Sequence, residues 1–249
     1  MSRDADRRAF EAVVAASETR TTVAPCSAAM ALEPRPPVLG PETFGNACEP
    51  AWSRQAISLV QTVLAASPMG PGLEWGAGAS SLWLLDKVSR LDSVDDRPGW
   101  VSYVNQALQK VYGAAFLRDH WRAHVVEPAG PVRTFLQAES YEHYYHDYVE
   151  AAPAAPGGYA LVAVHGKARA AALRRAFALV RPSGGVVVLA NSQRPQYLAA
   201  VKLMPPQWLS HTSGDERGAT TVLVARPDAR QAAAANASAG LDWLNRRTA

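Results

Sequence analysis

A glycine turn between a short strand and a helix constrains the fold of this chain more than any other stretch. Residues 72–85 predict a strand that ends at Glu74 and a helix that begins near Ser80. Between them, Gly76 and Gly78 lack the Cβ that would keep another group away from the main chain. The N–H groups at the start of such a helix point into the turn. The stretch therefore predicts a ligand site at the end of the first strand, and a turn without a ligand is the alternative.

A carboxylate follows at the distance that a nucleotide-binding fold requires. Asp95 stands about 20 residues beyond Glu74, at the end of the predicted strand 90–95, where it would reach the hydroxyls of a ribose. The third glycine of the dinucleotide fingerprint is replaced by Ser81. The Gly-Lys-Ser/Thr of a phosphate-binding loop is absent. Both features argue against a dinucleotide or a nucleoside triphosphate as the ligand.

Length and composition limit the classes to which the protein can belong. A chain of 249 residues, 48% of them hydrophobic, suits one α/β domain with additional segments. No apolar run reaches the ~20 residues of a membrane-spanning helix, and the first residues are too charged for a secretory signal. We therefore expect a cytoplasmic protein without a membrane partner. Cys26 and Cys48 lack metal-ligand spacing, and a scattered net charge of +3 does not predict nucleic-acid binding.

Three segments of different composition indicate the domain organisation. Residues 1–50 form a predicted extension, which begins with a helical pattern at 7–14 and is rich in proline and glycine from Val23. This extension is either a surface linker or a lid over the site, and the sequence does not choose between them. Residues 51–228 are predicted to be the main domain, and residues 229–249 an alanine-rich tail.

The main domain alternates predicted strands and helices. Beyond the glycine turn, the pattern predicts helices at 51–64, 98–111 and 168–180 and strands at 124–127, 159–164, 186–189 and 218–225. Runs of Val and Leu without polar alternation are typical of parallel strands buried on both faces. The predicted fold class is therefore α/β, with a doubly wound, mostly parallel Rossmann-like sheet. Ligands in such sheets lie beyond the carboxyl ends of the strands, so Asp95, His165 and Asn191-Ser192 should share one edge with the glycine turn.

A run of aromatic residues and histidines at 141–148 has two interpretations. It holds four of the eight tyrosines and two of the six histidines of the chain. In a functional interpretation, aromatic faces lie against an adenine or a substrate ring. In the other, the run is an amphipathic helix whose aromatic residues pack on the sheet while the histidines face water. The sequence leaves both open.

Several motifs occur along the main domain in a fixed order. They are residues 73–81, 93–95 with Pro98 and Trp100, 159–169, 181–185 and 192–197. In this order, and with the Glu-x-Gly-x-Gly turn first, they resemble a bacterial branch of the class I S-adenosylmethionine (SAM)-dependent methyltransferases. The resemblance covers most of residues 50–227 and implies the fold of that family, SAM as the cofactor and a small-molecule acceptor.

The same resemblance implies roles for individual residues. Glu74, Gly76 and Gly78 should line the methionine end of SAM, Asp95 should hold the ribose hydroxyls, and residues within 139–144 should flank the adenine. The residues implied to bind SAM are Glu74, Trp75, Gly76, Ala77, Gly78, Ser80, Asp95, Asp96, Ser140, Tyr141 and His165.

Two positions depart from the pattern of the family. Relatives usually end the fourth strand in Val-Asp-Gly, and this chain has Val164-His165-Gly166; Ala190-Asn191 stands where relatives often carry acids. Mg²⁺ prefers hard oxygen ligands, so one imidazole and one amide predict no metal site. His165 is then either a general base or a replacement for the lost acid that only hydrogen-bonds a neighbour. The further candidates are Tyr144 for catalysis and Asn191 and Tyr197 for substrate contacts.

The function implied by the resemblance is methyl transfer from SAM to a small molecule, in specialised metabolism. Two alternatives stay open. One is an enzyme that transfers the aminocarboxypropyl group of SAM, or cyclises SAM on itself, and releases methylthioadenosine. The other is a non-catalytic partner protein with the same fold, which the lost acid at position 165 would suit. A homodimer is one assembly compatible with this fold class.

Overall fold

The computed structural model describes residues 3–18, 49–131 and 135–226. Seven strands between Gly72 and Val224 form one central sheet. The strands are β1 (Gly72–Trp75), β2 (Leu91–Asp95), β3 (Trp121–Val125), β4 (Leu161–Val164), β5 (Val186–Ala190), β6 (Leu209–Asp215) and β7 (Gly218–Val224). They lie in the order β3-β2-β1-β4-β5-β7-β6. The first five are parallel, whereas β7 runs antiparallel to both β5 and β6. The predicted doubly wound, mostly parallel sheet is confirmed.

Helices connect the strands on both faces of the sheet. They are α1 (Arg3–Glu18), α2 (Arg54–Ala65), α3 (Ala79–Leu85), α4 (Pro98–His120), α5 (Phe135–Ser140), α6 (His146–Glu150), α7 (Arg169–Leu179) and α8 (Pro195–Val201), with a 3-10 turn at Glu142–Tyr145 between α5 and α6. Pro98 and Pro195 each occupy the first helical turn, where the missing N–H costs nothing.

The core has two layers, one on each face of the sheet. Alternate residues of β5 divide between them: Val186 and Val188 face the layer that α1 to α4 cover, and Val187 and Leu189 face the layer of α5 to α8. We call these the first and the second layer. Trp52 lies in the first layer. Strands β4 and β5 are buried along their whole length between the two layers, which explains their unbroken apolar runs.

The strand order changes direction between β1 and β4. These strands are neighbours, but α3 carries the chain from β1 into the first layer and α7 carries it from β4 into the second. The chain therefore leaves the two carboxyl ends toward opposite faces of the sheet, and a crevice lies between these connections, which is the usual ligand position in an open α/β sheet. We refer to this place as the crevice.

Three elements differ from the sequence predictions. Helix α4 continues past the predicted end at 111 to His120, with a kink at Gly113, where φ is 80°. Strand β3 consequently begins at Trp121 rather than at residue 124. Strand β6 escaped prediction because its residues, Leu-Ser-His-Thr-Ser-Gly-Asp, are mostly polar and only its pairing with β7 makes it a strand.

Several sequence predictions fall on chain that the structure does not describe. The proline-rich segment up to residue 48 and the tail from residue 229 lie outside the described residues. The predicted N-terminal helix is present and longer than expected, as α1. None of the helices in the described ranges combines the length and the apolar character that a membrane crossing requires.

Candidate functional site

The glycine turn brings the ends of β1 and β4 into direct contact. Gly76 has φ of +101°, a conformation that favours glycine, and a Cβ there would lie 2.6 Å from the Cα of Gly166. The main-chain N–H of Gly166 donates to the carbonyl of Trp75 over 2.6 Å. Both glycines are thus required by close approach of the main chain, and they form the floor of the crevice.

Glu74 is fully buried at the end of β1, and four side chains bind its carboxylate. Ser81 Oγ and Ser93 Oγ lie 2.5 and 2.6 Å from Oε1. Ser80 Oγ and His165 Nε2 lie 3.0 and 3.1 Å from Oε2. A buried carboxylate is tolerated when it is paired and hydrogen-bonded in this way. Glu74 therefore ties β1 to β2, α3 and β4, and its oxygens already have partners within the protein.

Two of these serines were missed by sequence reasoning. Ser81 Oγ also accepts from the N–H of Gly78 over 3.0 Å, and Ser93 Oγ accepts from Trp121 Nε1 over 2.8 Å. The signal was present in the sequence: a hydroxyl replaces the third glycine, and another stands inside a buried strand. Together these hydrogen bonds attach the glycine turn at Gly76 to Gly78 to the buried carboxylate of Glu74.

His165 binds Glu74 and Ser80 through one ring nitrogen, Nε2. Its Nε2 lies 3.1 Å from Glu74 Oε2 and 3.2 Å from Ser80 Oγ. A carboxylate only accepts hydrogen bonds, so Nε2 carries the proton and Nδ1 is the basic nitrogen. The acid and the hydroxyl meet the same nitrogen, which differs from a Ser-His-Asp relay, where they meet opposite nitrogens. The ring is 6.2 Å from that of Trp52, centroid to centroid.

Asp95 and Asp96 end β2 on the other side of β1. Asp95 is 3% exposed, and its Oδ1 accepts from the N–H of Arg97 over 3.0 Å. Burial raises the pKa of Asp95 to about 6, an effect that Arg97 opposes and Asp96 reinforces. Arg97 Nε lies 3.7 Å from Asp95 Oδ1 and 3.8 Å from Asp96 Oδ1. The predicted ribose carboxylate is therefore at the expected edge of the sheet.

Asp96 is also bonded across the crevice. Lys167 Nζ, which follows β4, lies 3.2 Å from Asp96 Oδ2, and Tyr145 OH donates to the same oxygen over 3.2 Å. Both charged side chains are nearly buried, with exposures of 12% for Lys167 and 9% for Asp96. Asp96 was expected from the sequence as a cofactor residue, but Lys167 was not.

Trp100 covers the glycine turn from the side of α4. Its Nε1 donates to the carbonyl of Ala77 over 2.6 Å, and the guanidinium of Arg97 lies 5.0 Å from its ring. Ala77 and Gly78 are buried as a result. Trp100 was part of the motif series, but its contact with the turn could not be read from the sequence.

Arg169 holds the ends of β4 and β5 together. Its guanidinium donates to the carbonyls of His165, Gly166 and Ala190 and to Asn191 Oδ1, over 2.7 to 2.9 Å. Burial lowers the pKa of Arg169. Asn191, with φ of +53°, therefore lies at the same edge as His165, as predicted. The guanidinium of Arg169 therefore already binds the amide oxygen of Asn191.

Three predicted side chains lie away from the crevice. The ring of Trp75 is fully buried in the second layer, where Nε1 donates to the carbonyl of Tyr148 over 3.3 Å. Tyr197 is fully buried as well, and its hydroxyl donates to Glu139 Oε1 over 3.1 Å. Tyr144 packs against Gly130, in the loop after β3, and its ring contacts those of Tyr141 and His143.

The aromatic run combines both of its interpretations. Tyr145 and Tyr148 are buried in the second layer, as in the packing interpretation. Tyr141 is 47% exposed, and its ring stacks 5.8 Å from that of Tyr144. Ser140 is exposed beside them. The N–H of Ala129 donates to the carbonyl of Tyr144 over 2.9 Å, which attaches the run to the loop after β3.

Within residues 3–18, 49–131 and 135–226, no three side chains of His, Cys, Asp or Glu are grouped so that they could hold a metal ion.

Comparison with known proteins finds solved structures that match at low sequence identity. No family model and no curated protein matches the chain. A methyltransferase from Geobacter sulfurreducens is 12% identical, with 70% of this chain and 78% of that one covered and a TM-score of 0.45. An O-methyltransferase from Bacillus cereus, in complex with SAH, is 13% identical, with 88% and 91% covered and a TM-score of 0.47. Spermidine synthase from Thermotoga maritima is 9% identical, with 66% and 56% covered and a TM-score of 0.37.

Proposed function

We propose that this protein is a SAM-dependent methyltransferase that acts on a small molecule without a metal ion. The observation that carries the proposal is the pairing of His165 with Glu74 in the crevice, beside the glycine turn and one strand away from Asp95. A nucleoside held by Asp95 and lying over the turn would bring its far end to His165. Fold alone does not decide function, so the proposal rests on these residues.

Cofactor binding is assigned to the crevice and its edges. Asp95 binds the ribose hydroxyls, and the main chain of Gly76 to Gly78 allows close approach of the methionine part. The exposed faces of Ser140 and Tyr141, next to the loop after β3, suit the adenine. Glu74 acts indirectly, because its carboxylate is already bound by three serines and His165.

The protein has two tasks in the reaction. SAM supplies a methyl group on a sulfonium, which is already a good leaving group. The protein must place the acceptor in line and remove its proton, and positioning provides much of the rate. His165 Nδ1 takes the proton, since Nε2 donates to Glu74, and the carboxylate stabilises the imidazolium that results. The acceptor is an alcohol, phenol or amine that loses its proton during methylation.

The electrostatics at Asn191 support a reaction without a divalent cation. Asn191 Oδ1, the oxygen that would face a cation, accepts from Arg169. The fixed charge of Arg169 lies 2.8 Å from this oxygen and would repel a divalent cation that approached it. The mechanism therefore depends on the imidazole alone for the removal of the proton.

The proposal is tested by incubating the purified protein with SAM and analysing the small molecules by mass spectrometry. We expect SAM alone to remain unchanged and SAM with a panel of small phenols, alcohols and amines to give S-adenosylhomocysteine and a methylated product. The His165→Gln variant should still bind SAM and should lose about 100-fold or more in kcat. Methylthioadenosine without an acceptor would overturn methyl transfer in favour of aminocarboxypropyl chemistry, and no binding of SAM would favour a non-catalytic protein.

A further inference from the structure

The ion pair between Lys167 and Asp96 crosses the crevice from one side to the other. Asp96 precedes α4, which belongs to the first layer, and Lys167 precedes α7, which belongs to the second. Their strands, β2 and β4, flank β1. Neighbouring strands lie about 4.8 Å apart, so a contact between the ends of β2 and β4 spans about twice that distance over the end of β1. The pair thus lies across the position where the glycine turn would receive the cofactor.

A tyrosine pair in the second layer supports this ion pair. Tyr145 OH donates to Asp96 Oδ2, the oxygen that also binds Lys167. Tyr148 OH lies 3.4 Å from the main-chain N–H of Lys167. The two rings contact each other edge to face, with their centroids 5.5 Å apart. Tyr145 therefore holds Asp96 independently of Lys167, and the carboxylate keeps its place when the lysine leaves.

We propose that the Lys167–Asp96 ion pair is a latch that closes the cofactor crevice and must open before SAM can enter. The inference rests on the proposed function, because it concerns access to the same site. Lys167 is joined to the end of β4 by a flexible four-carbon side chain, so its ammonium can swing away while the strands stay fixed. Asp96, released from the lysine and held by Tyr145, then faces the ribose beside Asp95.

The latch sets the fraction of molecules that can bind. When a binding-competent state is only partly populated, the apparent dissociation constant rises by the inverse of its fraction. An ion pair that keeps the crevice open in about one molecule in ten lowers the association rate constant tenfold, which corresponds to about 1.4 kcal/mol. The dissociation rate constant is unaffected when Lys167 makes no contact with the bound cofactor.

The experiment compares binding of S-adenosylhomocysteine to the wild type and to Lys167→Met, by stopped-flow fluorescence and calorimetry. Methionine keeps much of the length of the side chain and removes its charge. We expect the association rate constant and the affinity to rise about tenfold in Lys167→Met, with the dissociation rate constant unchanged. Lys167→Arg should stay close to the wild type, because it retains the ion pair.

Controls separate the possible outcomes. Arg54→Met removes an exposed ion pair between α2 and Glu216, in the turn after β6, and should change neither rate constant. Slower association or weaker affinity in Lys167→Met, with an unchanged unfolding transition, would overturn the latch and make Lys167 a cofactor ligand. An unchanged association rate would overturn it as well. Failure of both the wild type and Lys167→Met to bind would contradict the proposed function itself.

Discussion

At the scale of single residues, the crevice contains one buried carboxylate with a full set of hydrogen-bond donors and one with few donors. Glu74 has four hydrogen-bond partners, whereas Asp95 is almost completely buried with one main-chain donor and a distant guanidinium. Burial therefore raises the pKa of Asp95 to about 6. A carboxylate of this kind costs stability until a ligand hydroxyl binds it.

We predict that Asp95→Asn stabilises the protein at neutral pH while it weakens cofactor binding. The folded pKa of Asp95 is about 6 against an ordinary value of 3.8, so the folded state binds the proton more tightly than the unfolded chain. Stability then falls as the pH rises from about 4 to about 6, by about 3 kcal/mol at most, and the asparagine variant lacks this loss. Urea unfolding at about pH 5 and about pH 8 measures the difference.

The same substitution should lower the affinity for S-adenosylhomocysteine about tenfold or more, because an ionised acceptor binds a hydroxyl more strongly than an amide does. Binding to the wild type should weaken below about pH 6 as Asp95 takes up its proton. Glu11→Gln, which changes an exposed carboxylate of α1, is the matched control for both measurements. A destabilised Asp95→Asn at about pH 8 would contradict the assignment of the raised pKa.

At the scale of elements, the ends of β1 and β4 are held at a separation that only glycine allows. A Cβ on Gly166 would lie 2.8 Å from the main-chain nitrogen of Gly76 and 2.8 Å from the carbonyl carbon of Trp75. Both contacts are with main chain, which cannot swing away as a flexible side chain would. The floor of the crevice therefore depends on the pairing of two strands rather than on any one side chain.

We predict that Gly166→Ala destabilises the fold by about 2 kcal/mol, within the range of overpacked sites, and abolishes cofactor binding. The control is Gly99→Ala in the first turn of α4, where a Cβ would meet nothing within 4 Å. That change should stabilise the protein by up to about 1 kcal/mol, because alanine loses less chain entropy in a helix than glycine. Chemical unfolding and calorimetry of both variants provide the comparison.

The elements and their order could be predicted where the signal is local. Unbroken apolar runs predict strands β4 and β5, and the glycines at positions 76 and 78 predict the turn. Contacts between distant residues could not be predicted: His165 meets Glu74 across 91 positions, and Lys167 meets Asp96 across 71. Each pair depends on the strand order.

The same limit applies to the position of Tyr197. This residue follows the carboxyl end of β5 in the sequence, and for that reason it was a candidate for a substrate contact. Helix α8 instead turns this side chain into the second layer, where Glu139 accepts from its hydroxyl. Strand β6 has no apolar pattern of its own and exists because β7 pairs with it. In both cases tertiary packing decided what the local sequence left open.

At the scale of the whole molecule, the crevice joins the two layers of the core. Glu74 with His165, and Asp96 with Lys167, are contacts between chain that enters the first layer and chain that enters the second. A ligand that binds in the crevice contacts both layers and therefore stabilises the complete fold rather than one part of it.

We predict that S-adenosylhomocysteine at about 100 times its dissociation constant raises the free energy of unfolding by about 2.7 kcal/mol, in one cooperative transition. Differential scanning fluorimetry together with urea unfolding measures this shift. Two separate transitions, of which the ligand moved only one, would show that the layers unfold independently. Adenosine alone should give a smaller shift, since it lacks the methionine part.

The guanidinium of Arg169 has a consequence for redesign of the site. A designer who wished to build a metal-dependent enzyme on this fold would first introduce carboxylates at positions 165 and 191. Arg169, which reaches the main chain of both strands and the side chain of Asn191, would capture the new carboxylate at 191 as an ion pair. Building a cation site here therefore also requires replacing Arg169. Carboxylates introduced at positions 165 and 191 alone would strengthen the ion pairing with Arg169 and would not create a metal centre.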